Sequence, residues 1–573
     1  WDDPATWTLD ASGTTHNNPG NDIPTALDKA VILNGRTVTV DNNGNSTLQL
    51  DIQDGAILDL GNSSGHDFGT VMGKGRMRST IGTLPAGVFT LFTQSGGGTI
   101  ELYGNITASP NISFTTFNNL EINANATGDD INLLYDTQIN GYLKINTGEV
   151  HFNSATSRNI TVEGNIDIGV NGRLDVTSGN HNLYVKGDLN NEGVVVFSNQ
   201  TLPNGYTNDP TRSVTLTFNN AIKNQALSCN GSTTLHKLVV DKGSDDTYVL
   251  SVNASSTSNF SLLGRNNDDA TNTDSPGSVL NNKALNIDAG TLYLGSNITI
   301  PRLLTANIYP YNNSFVIDQD ATLILDGSNI AVSADASDIS SIIIYGKLKV
   351  MGSSNFSSIG GQGIILREYG VFEIDGSSSA PTVNTTVFRT SSRLELGTHR
   401  GTFIMKGGIM NISGYNYADT HPAFALPFGD NTFQMSGGTI NINNSTYYNG
   451  GQASYWSWLV NSNESNISVT GGTVNINASA RNAYINSSAP FYNLNITGST
   501  TYSVEIQSIV DQTNTFWNGS AWETITVVPA TDLREVKVLN NLNVGANAVF
   551  VTNNQNITVG RNFTLNASGR YTP

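Results

Sequence analysis

Alternation broken by a pair of glycines, and then repeated, is the feature that most restricts this chain. The stretch ISVTGGTVNIN (Ile467 to Asn477) places apolar side chains at every second position on both sides of Gly471-Gly472. Two earlier stretches read the same way, TFQMSGGTININ from Thr432 and TFIMKGGIMNIS from Thr402. A period of two is the mark of a strand with one buried face. Glycine adopts left-handed backbone conformations cheaply, so each pair reads as a tight corner between two strands. A ligand loop has no reason to recur; a scaffold corner does.

The recurrence extends along the chain. Near the C-terminus Val538, Leu542, Val544 and Phe550 realign on Val559, Phe563, Leu565 and Tyr571. GRTVTV at Gly35 realigns on GAILDL at Gly55, and NITVEGN at Asn159 on NLYVKGD at Asn182. The unit is about 20 to 23 residues, two or three short apolar-x-apolar strands separated by Gly, Asn or Asp. Strands this short cannot enclose a core singly. Stacked in parallel about 4.8 Å apart they can, with Val162, Ile166, Ile168, Leu174 and Val176 pointing inward. In the same register Val474 and Ile476 face in, while Thr473 and Asn475 face out, so Asn475→Asp is expected to be nearly neutral. The expected fold is therefore all-β, a parallel β-helix or solenoid, right-handed by the resemblance given below. Residues 1–30 are expected to cap it and 31–573 to form it, with loop insertions near 266–275, 415–433 and 449–460.

Composition agrees with strands and turns rather than helices. Only 13% of the residues are charged, Gly contributes 57, and 38% are hydrophobic in short alternating groups that can bury a core. A net charge of −18 with scattered Lys and Arg argues against a nucleic-acid partner. No apolar run has the length of a transmembrane segment. The first residue is Trp1, which reads as a mature product after removal of a signal peptide, hence export. Cys229 is the single cysteine, so no internal disulfide forms, and it reads as a small buried hydrophobe.

A larger module overlies the rung. GTIELYGNITASPNISFTTFNNLEIN from Gly98, SVTLTFNNAIKNQALSCNGSTTLHKLVVD from Ser213 and GTVNINASARNAYINSSAPFYNLNIT from Gly472 share an opening strand, a polar stretch and a common close. The closing positions are Phe117, Leu120, Ile122; Leu235, Leu238, Val240; and Phe491, Leu494, Ile496. This pattern resembles the repeated modules of secreted right-handed parallel β-helix (pectin-lyase-like) surface proteins of bacteria and archaea. The opening WDDPATW, followed by PTALDKAVILNGRTVTV, resembles the G8-like segment found ahead of extracellular β-helices, with Trp1, Trp7, Pro24, Asp28 and Gly35 on its pattern.

The β-helix resemblance makes polysaccharide lyases and glycoside hydrolases the enzymes to weigh. A glycosidase needs two carboxylates about 5 to 9.5 Å apart. The pairs Asp129–Asp130, Asp245–Asp246 and Asp268–Asp269 all sit in stretches rich in turn residues and read as turn chemistry. Lys and Arg are too dispersed to nominate the base of a β-elimination. His16, His66, His151, His181, His236, His399 and His421 show no metal-ligand spacing along the sequence. Paired carboxylates on the outward side of neighbouring rungs would be the mark of an enzyme. Without an alignment of the rungs none is assigned, and the expectation is no enzymatic activity.

Three sets of candidate binding residues remain. Asn266, Asp268, Asn272 and Asp274 in NNDDATNTD form a polar loop that is a weak Ca²⁺ candidate. Asn105, Asn159, Asn297, Asn411, Asn466, Asn495 and Asn562 head Asn-X-Ser/Thr sequons and are glycosylation candidates. Tyr455, Trp456 and Trp458, with Trp517 and Trp522, are candidates for exposed rings that stack on sugars or anchor a partner, the alternative being a satellite core folded beneath long loops. Together these readings lead to an expectation of function. The chain is a secreted structural glycoprotein at the cell surface, forming or decorating a filament, sheath or surface layer as a homopolymer of head-to-tail subunits. No cofactor is required, Ca²⁺ apart. Surface glycans are the other expected partner, and the alternatives are a carbohydrate-binding adhesin and, less favoured, a polysaccharide lyase or hydrolase.

Overall fold

The computed structural model describes residues 1–106, 111–112, 114–125, 130–199, 211–263, 284–301, 303, 314–332, 341–359, 363–390, 400–414, 422–443, 456–508, 512–517, 522–528 and 531–573. They form two compact units, Trp1–Gly243 with Leu250–Gly264, and Ser244–Val249 with Arg265–Pro573. Each unit is a parallel β-helix, a stack of short strands in which each pairs in parallel with its counterpart in the next rung.

The registers are those the repeat implies. Thr37 and Val38 pair with Ile57 and Leu58, and Asn159 to Val162 with Asn182 to Val185. Val538 pairs with Val559, Leu542 with Phe563, Val544 with Leu565 and Phe550 with Tyr571. A slip by one residue would turn every inward side chain outward, so the apolar alternation fixes the pairing. Val162, Ile166, Ile168, Leu174 and Val176 are all buried, as are the nine closing positions of the three larger modules.

In the second unit each regular rung contributes three strands. Val371–Asp375, Thr402–Met405, Thr432–Met435 and Ile467–Val469 stack in one sheet; Thr382–Thr385, Ile409–Ile412, Thr439–Asn443 and Thr473–Ala478 stack in the next. Between these two sheets lie the glycine pairs, stacked as corners. Gly408, Gly438 and Gly472 take φ values of 82°, 82° and 94°. A Cβ at Gly438 would stand 2.8 Å from the Gly407 carbonyl carbon, and one at Gly472 3.0 Å from the Gly437 oxygen, backbone atoms that cannot swing aside. The corner therefore requires glycine both for its conformation and for its space.

Residues 1–28 carry no strand. Trp1 is 3% exposed and packs on Phe68, ring centroids 5.1 Å apart, while Trp7 Nε1 donates to the Trp1 carbonyl at 2.8 Å. The first strand is Lys29–Ile32. Rung length departs from the expected period in the second unit. Equivalent asparagines are 20 residues apart at Asn475 and Asn495 but 30 apart at Asn411 and Asn441, and 34 apart at Asn441 and Asn475.

The expected insertion bounds also need correction. Phe424–Leu426 and Thr432–Met435 are strands of the ladder, and so is Trp456–Val460. The supposed loops at 415–433 and 449–460 thus contain regular rung positions. The span 266–275 lies outside the described residues. An antiparallel pair, Gln512–Trp517 with Trp522–Val528, stands apart from the parallel ladders.

Inside the second unit the column is aromatic. Phe388 stacks on Phe424 at 4.9 Å, Phe424 on Trp458 at 4.4 Å, and Phe403 on Phe433 at 5.8 Å between centroids. Trp458 is 1% exposed, so it is core and not a surface anchor. A parallel ladder places like residues one above another, and rings about 5 Å apart suit the offset geometry aromatic pairs prefer.

Two predictions follow from this packing. Asn475 is only half-buried but sits in a carboxamide ladder, donating to Asn441 Oδ1 at 2.6 Å and accepting from Asn495 at 2.8 Å. Asn475→Asp removes that donor and faces a carboxylate toward the Asn441 oxygen. It should cost about 1–3 kcal/mol rather than nothing. Val474→Asp should cost more, several kcal/mol, and Ser468→Asp on the exposed face less than about 0.5 kcal/mol. Thermal unfolding of the three variants checks the order.

The second concerns Lys242, which is 1% exposed and donates to the Asn220 carbonyl at 3.0 Å and to Gln225 Oε1 at 2.7 Å. Burial, followed by the charge of Lys223, pushes its ammonium down to about 8. Between that value and the ordinary lysine pKa the unfolded chain binds the extra proton, so this group makes stability rise with pH from about 8 to 10.5. The difference in unfolding free energy between wild type and Lys242→Met should shift by on the order of 2–3 kcal/mol over that window. A difference that stays flat with pH excludes the assignment.

Candidate functional site

The outward faces of the rungs carry side chains that bond along the stack. In the second unit Asn411 pairs in register with Asn384, Asn441 with Asn411, Asn475 with Asn441 and Asn495 with Asn475. Each carboxamide donates to the one in the preceding rung, at 3.0, 2.8, 2.6 and 2.8 Å in that order. A carboxamide holds both donor and acceptor, so it is one of the few polar groups that can repeat in such a column.

Charged groups occur as sets of opposite sign. Arg76 bridges Glu101 at 3.0 Å and Glu121, whose other oxygen accepts from Tyr142 Oη at 2.6 Å. Arg78 meets Asp59 at 2.7 Å and lies 4.7 Å from the centroid of the Tyr103 ring. In the second unit Glu373 takes Lys406 at 2.8 Å, Lys347 at 3.0 Å and Lys349 at 3.5 Å. Burial would raise the Glu373 carboxyl, but the lysines outweigh it and hold the group below its ordinary range.

One cluster adds an imidazole to such a set. Asp130–Leu133, Leu143–Asn153 and Ile166–Val185 are successive strands of the first unit. Their register sets Asp130, Glu149 and Arg173 in one outward column and Asn132, His151 and Asp175 in the next. The buried His151 imidazole lies at the centre. Its Nδ1 is hydrogen-bonded to Asp175 Oδ1, while Nε2 stands 3.1 Å from Asp130 Oδ1 and 3.8 Å from Glu149 Oε2. Arg173 Nε donates to Asp175 Oδ2 at 2.7 Å and lies 3.5 Å from Glu149.

Burial alone would favour the neutral imidazole, but the bonds to Asp175 and Asp130 outweigh it, and the His151 pKa is raised. Burial would also raise the Asp175 carboxyl; hydrogen bonds from His151 and Arg173 hold it below its ordinary range. Side-chain exposure is 8% for both His151 and Asp175 but 38% for Asp130 and 25% for Glu149. The cluster is anchored below the surface and opens to solvent on its Nε2 side. An imidazole so placed among carboxylates can exchange a proton or ligate a cation.

Sequence reasoning missed this site. Asp130 opens a strand rather than lying within a turn, and His151 gains its neighbours from other rungs. The signal that could have found it is an alignment of DINL, EVHF and RLDV, which stacks Asp130 on Glu149 and His151 on Asp175.

The expected site residues fare differently. Asn266, Asp268, Asn272 and Asp274 lie outside the described residues, as do Tyr455 and the side chains of Trp456, Trp517 and Trp522. Among the sequons, Asn105 is exposed, and Asn297 takes a φ of 66°. Asn159 accepts from Asn182 at 2.9 Å, Asn466 donates to the Gly429 carbonyl at 3.1 Å, and Asn562 donates to Asn541 at 2.8 Å. Asn411 and Asn495 spend their amide nitrogen, the atom a glycan would take, on the ladder. Their sequons arise because a strand that alternates outward polar with inward apolar residues writes Asn-Ile-Ser or Asn-Ile-Thr. A soluble N-glycosyltransferase acting on the folded protein should therefore modify Asn105 well before Asn411 or Asn495. Site-resolved mass spectrometry measures this, and equal occupancy would contradict it.

No family of known proteins, no curated protein sequence and no solved structure matches the chain.

Proposed function

We propose that the chain is an extracellular structural protein that forms or decorates a cell-surface filament, sheath or surface layer through subunit contacts, in the manner of the pectin-lyase-like surface β-helices and with a G8-like opening segment. The observation that carries this reading is the use of the outward faces. Asparagine ladders and cross-rung ion sets commit polar side chains of successive rungs to one another, which stiffens the stack along its axis. Among the described residues no helix is long and apolar enough to cross a membrane.

A polysaccharide lyase or hydrolase is the second reading, and it has the cluster at His151 in its favour, with Asp130, Glu149 and Asp175 contributed by three neighbouring rungs. Two measurements separate the readings. Sedimentation and negative-stain imaging over a range of concentrations should show elongated assemblies; a chain that stays monomeric at high concentration defeats the structural reading. Incubation with pectate, alginate, chondroitin and neutral glucans should give no new reducing ends or unsaturated products. Turnover abolished by His151→Ala would transfer the assignment to the enzyme.

A further inference from the structure

We propose that Asp130, Glu149 and His151 form a binding site for one divalent cation of the zinc class, with Asp175 as the residue that positions His151. This goes beyond the structural reading and does not depend on it.

The ligand atoms converge from two rungs. The oxygens of Asp130 and Glu149 and a nitrogen of His151 all lie within 4.8 Å of one another. Zinc bonds to imidazole nitrogen and carboxylate oxygen at about 2.0–2.2 Å, so the ligand atoms of a tetrahedral site are separated by about 3.3–3.5 Å. The separations from His151 Nε2, 3.1 Å to Asp130 and 3.8 Å to Glu149, bracket that spacing. Small rotations of two half-exposed carboxylates would bring all three onto one ion.

A separate feature selects the nitrogen. Asp175, with its side chain 8% exposed, is hydrogen-bonded to His151 Nδ1 and is itself held by Arg173 at 2.7 Å. A carboxylate on one imidazole nitrogen fixes the ring and presents the other nitrogen as a ligand, which is the usual outer support of metal-bound histidine. Here the presented atom is Nε2, and it faces the two carboxylates and the solvent-open side.

The nitrogen ligand argues against Ca²⁺ and Mg²⁺, which take oxygen almost throughout. Three protein ligands leave a fourth position for water or a partner's donor atom.

The test uses the full chain stripped with chelator. Titration with Zn²⁺ by calorimetry, with elemental analysis after desalting, should give one equivalent. Co²⁺ in its place should give the visible absorption of a four-coordinate site with nitrogen. Asp130→Asn and Glu149→Gln should each weaken Zn²⁺ at least about 10-fold, and Asp175→Asn about 10- to 100-fold. Glu373→Gln, in the other unit, should leave affinity unchanged. Circular dichroism confirms that each variant is folded, and the Co²⁺ spectrum of the wild type stands without any variant. Absence of Zn²⁺ binding overturns the proposal. So does binding that Asp130→Asn and Glu149→Gln leave intact, which would mean adsorption to an acidic surface.

Discussion

Everything in this structure depends on parallel pairing between rungs. It sets each residue directly over its counterpart about 4.8 Å away, so every column of side chains must tolerate its own repetition. Aliphatic columns do so by burial, and aromatic ones by stacking, as in Phe388, Phe424 and Trp458. A polar column has fewer solutions. Like charges at that spacing repel, whereas a carboxamide donates to one neighbour and accepts from the other, as Asn384, Asn411, Asn441, Asn475 and Asn495 do. The low proportion of charged residues and the abundance of asparagine are consequences of this geometry.

Charges are admitted where neighbouring rungs supply the opposite sign. Glu373 is surrounded by Lys347, Lys349 and Lys406, and Arg76 joins Glu101 to Glu121. These sets have the same structural result as the asparagine ladder, namely a face whose polar groups are matched to each other. Around His151 the set includes an imidazole. Together with one guanidinium it meets three acids from three rungs, and its Nε2 faces two of them, Asp130 and Glu149, which are more exposed than the ring.

The aromatic residues show how local reading fails. YNYADTHPAFALPFGDNTF and ASYWSWLV lack the Val, Ile and Asn alternation of ordinary rungs, so they read as insertions, their rings either exposed or folded into a satellite core beneath long loops. In the structure Phe424 and Trp458 lie inside the column, in three- and five-residue strands paired with each other. A strand of three residues carries too little periodicity to be recognised alone. Only the rungs on either side, which need an aromatic at that level, identify it.

Register was legible because it follows from a property of each residue taken singly. Whether Val544 or Leu565 is apolar decides which face it takes, and the repeat then decides what it lies upon. The glycine corners were legible for the same reason, since a left-handed backbone requirement belongs to the residue itself. The cluster at His151 was not, because ligation and charge balance belong to groups of residues. Asp130 lies 21 positions before His151, and Asp175 lies 24 after it. They become neighbours only when rungs of unequal length are wound into one stack. The sequence by itself determined the face each side chain takes and, where the repeat is regular, the residue over which it stacks. The tertiary structure alone decided that stacking where rungs differ in length, because the register between two strands then depends on the lengths of the turns that join them.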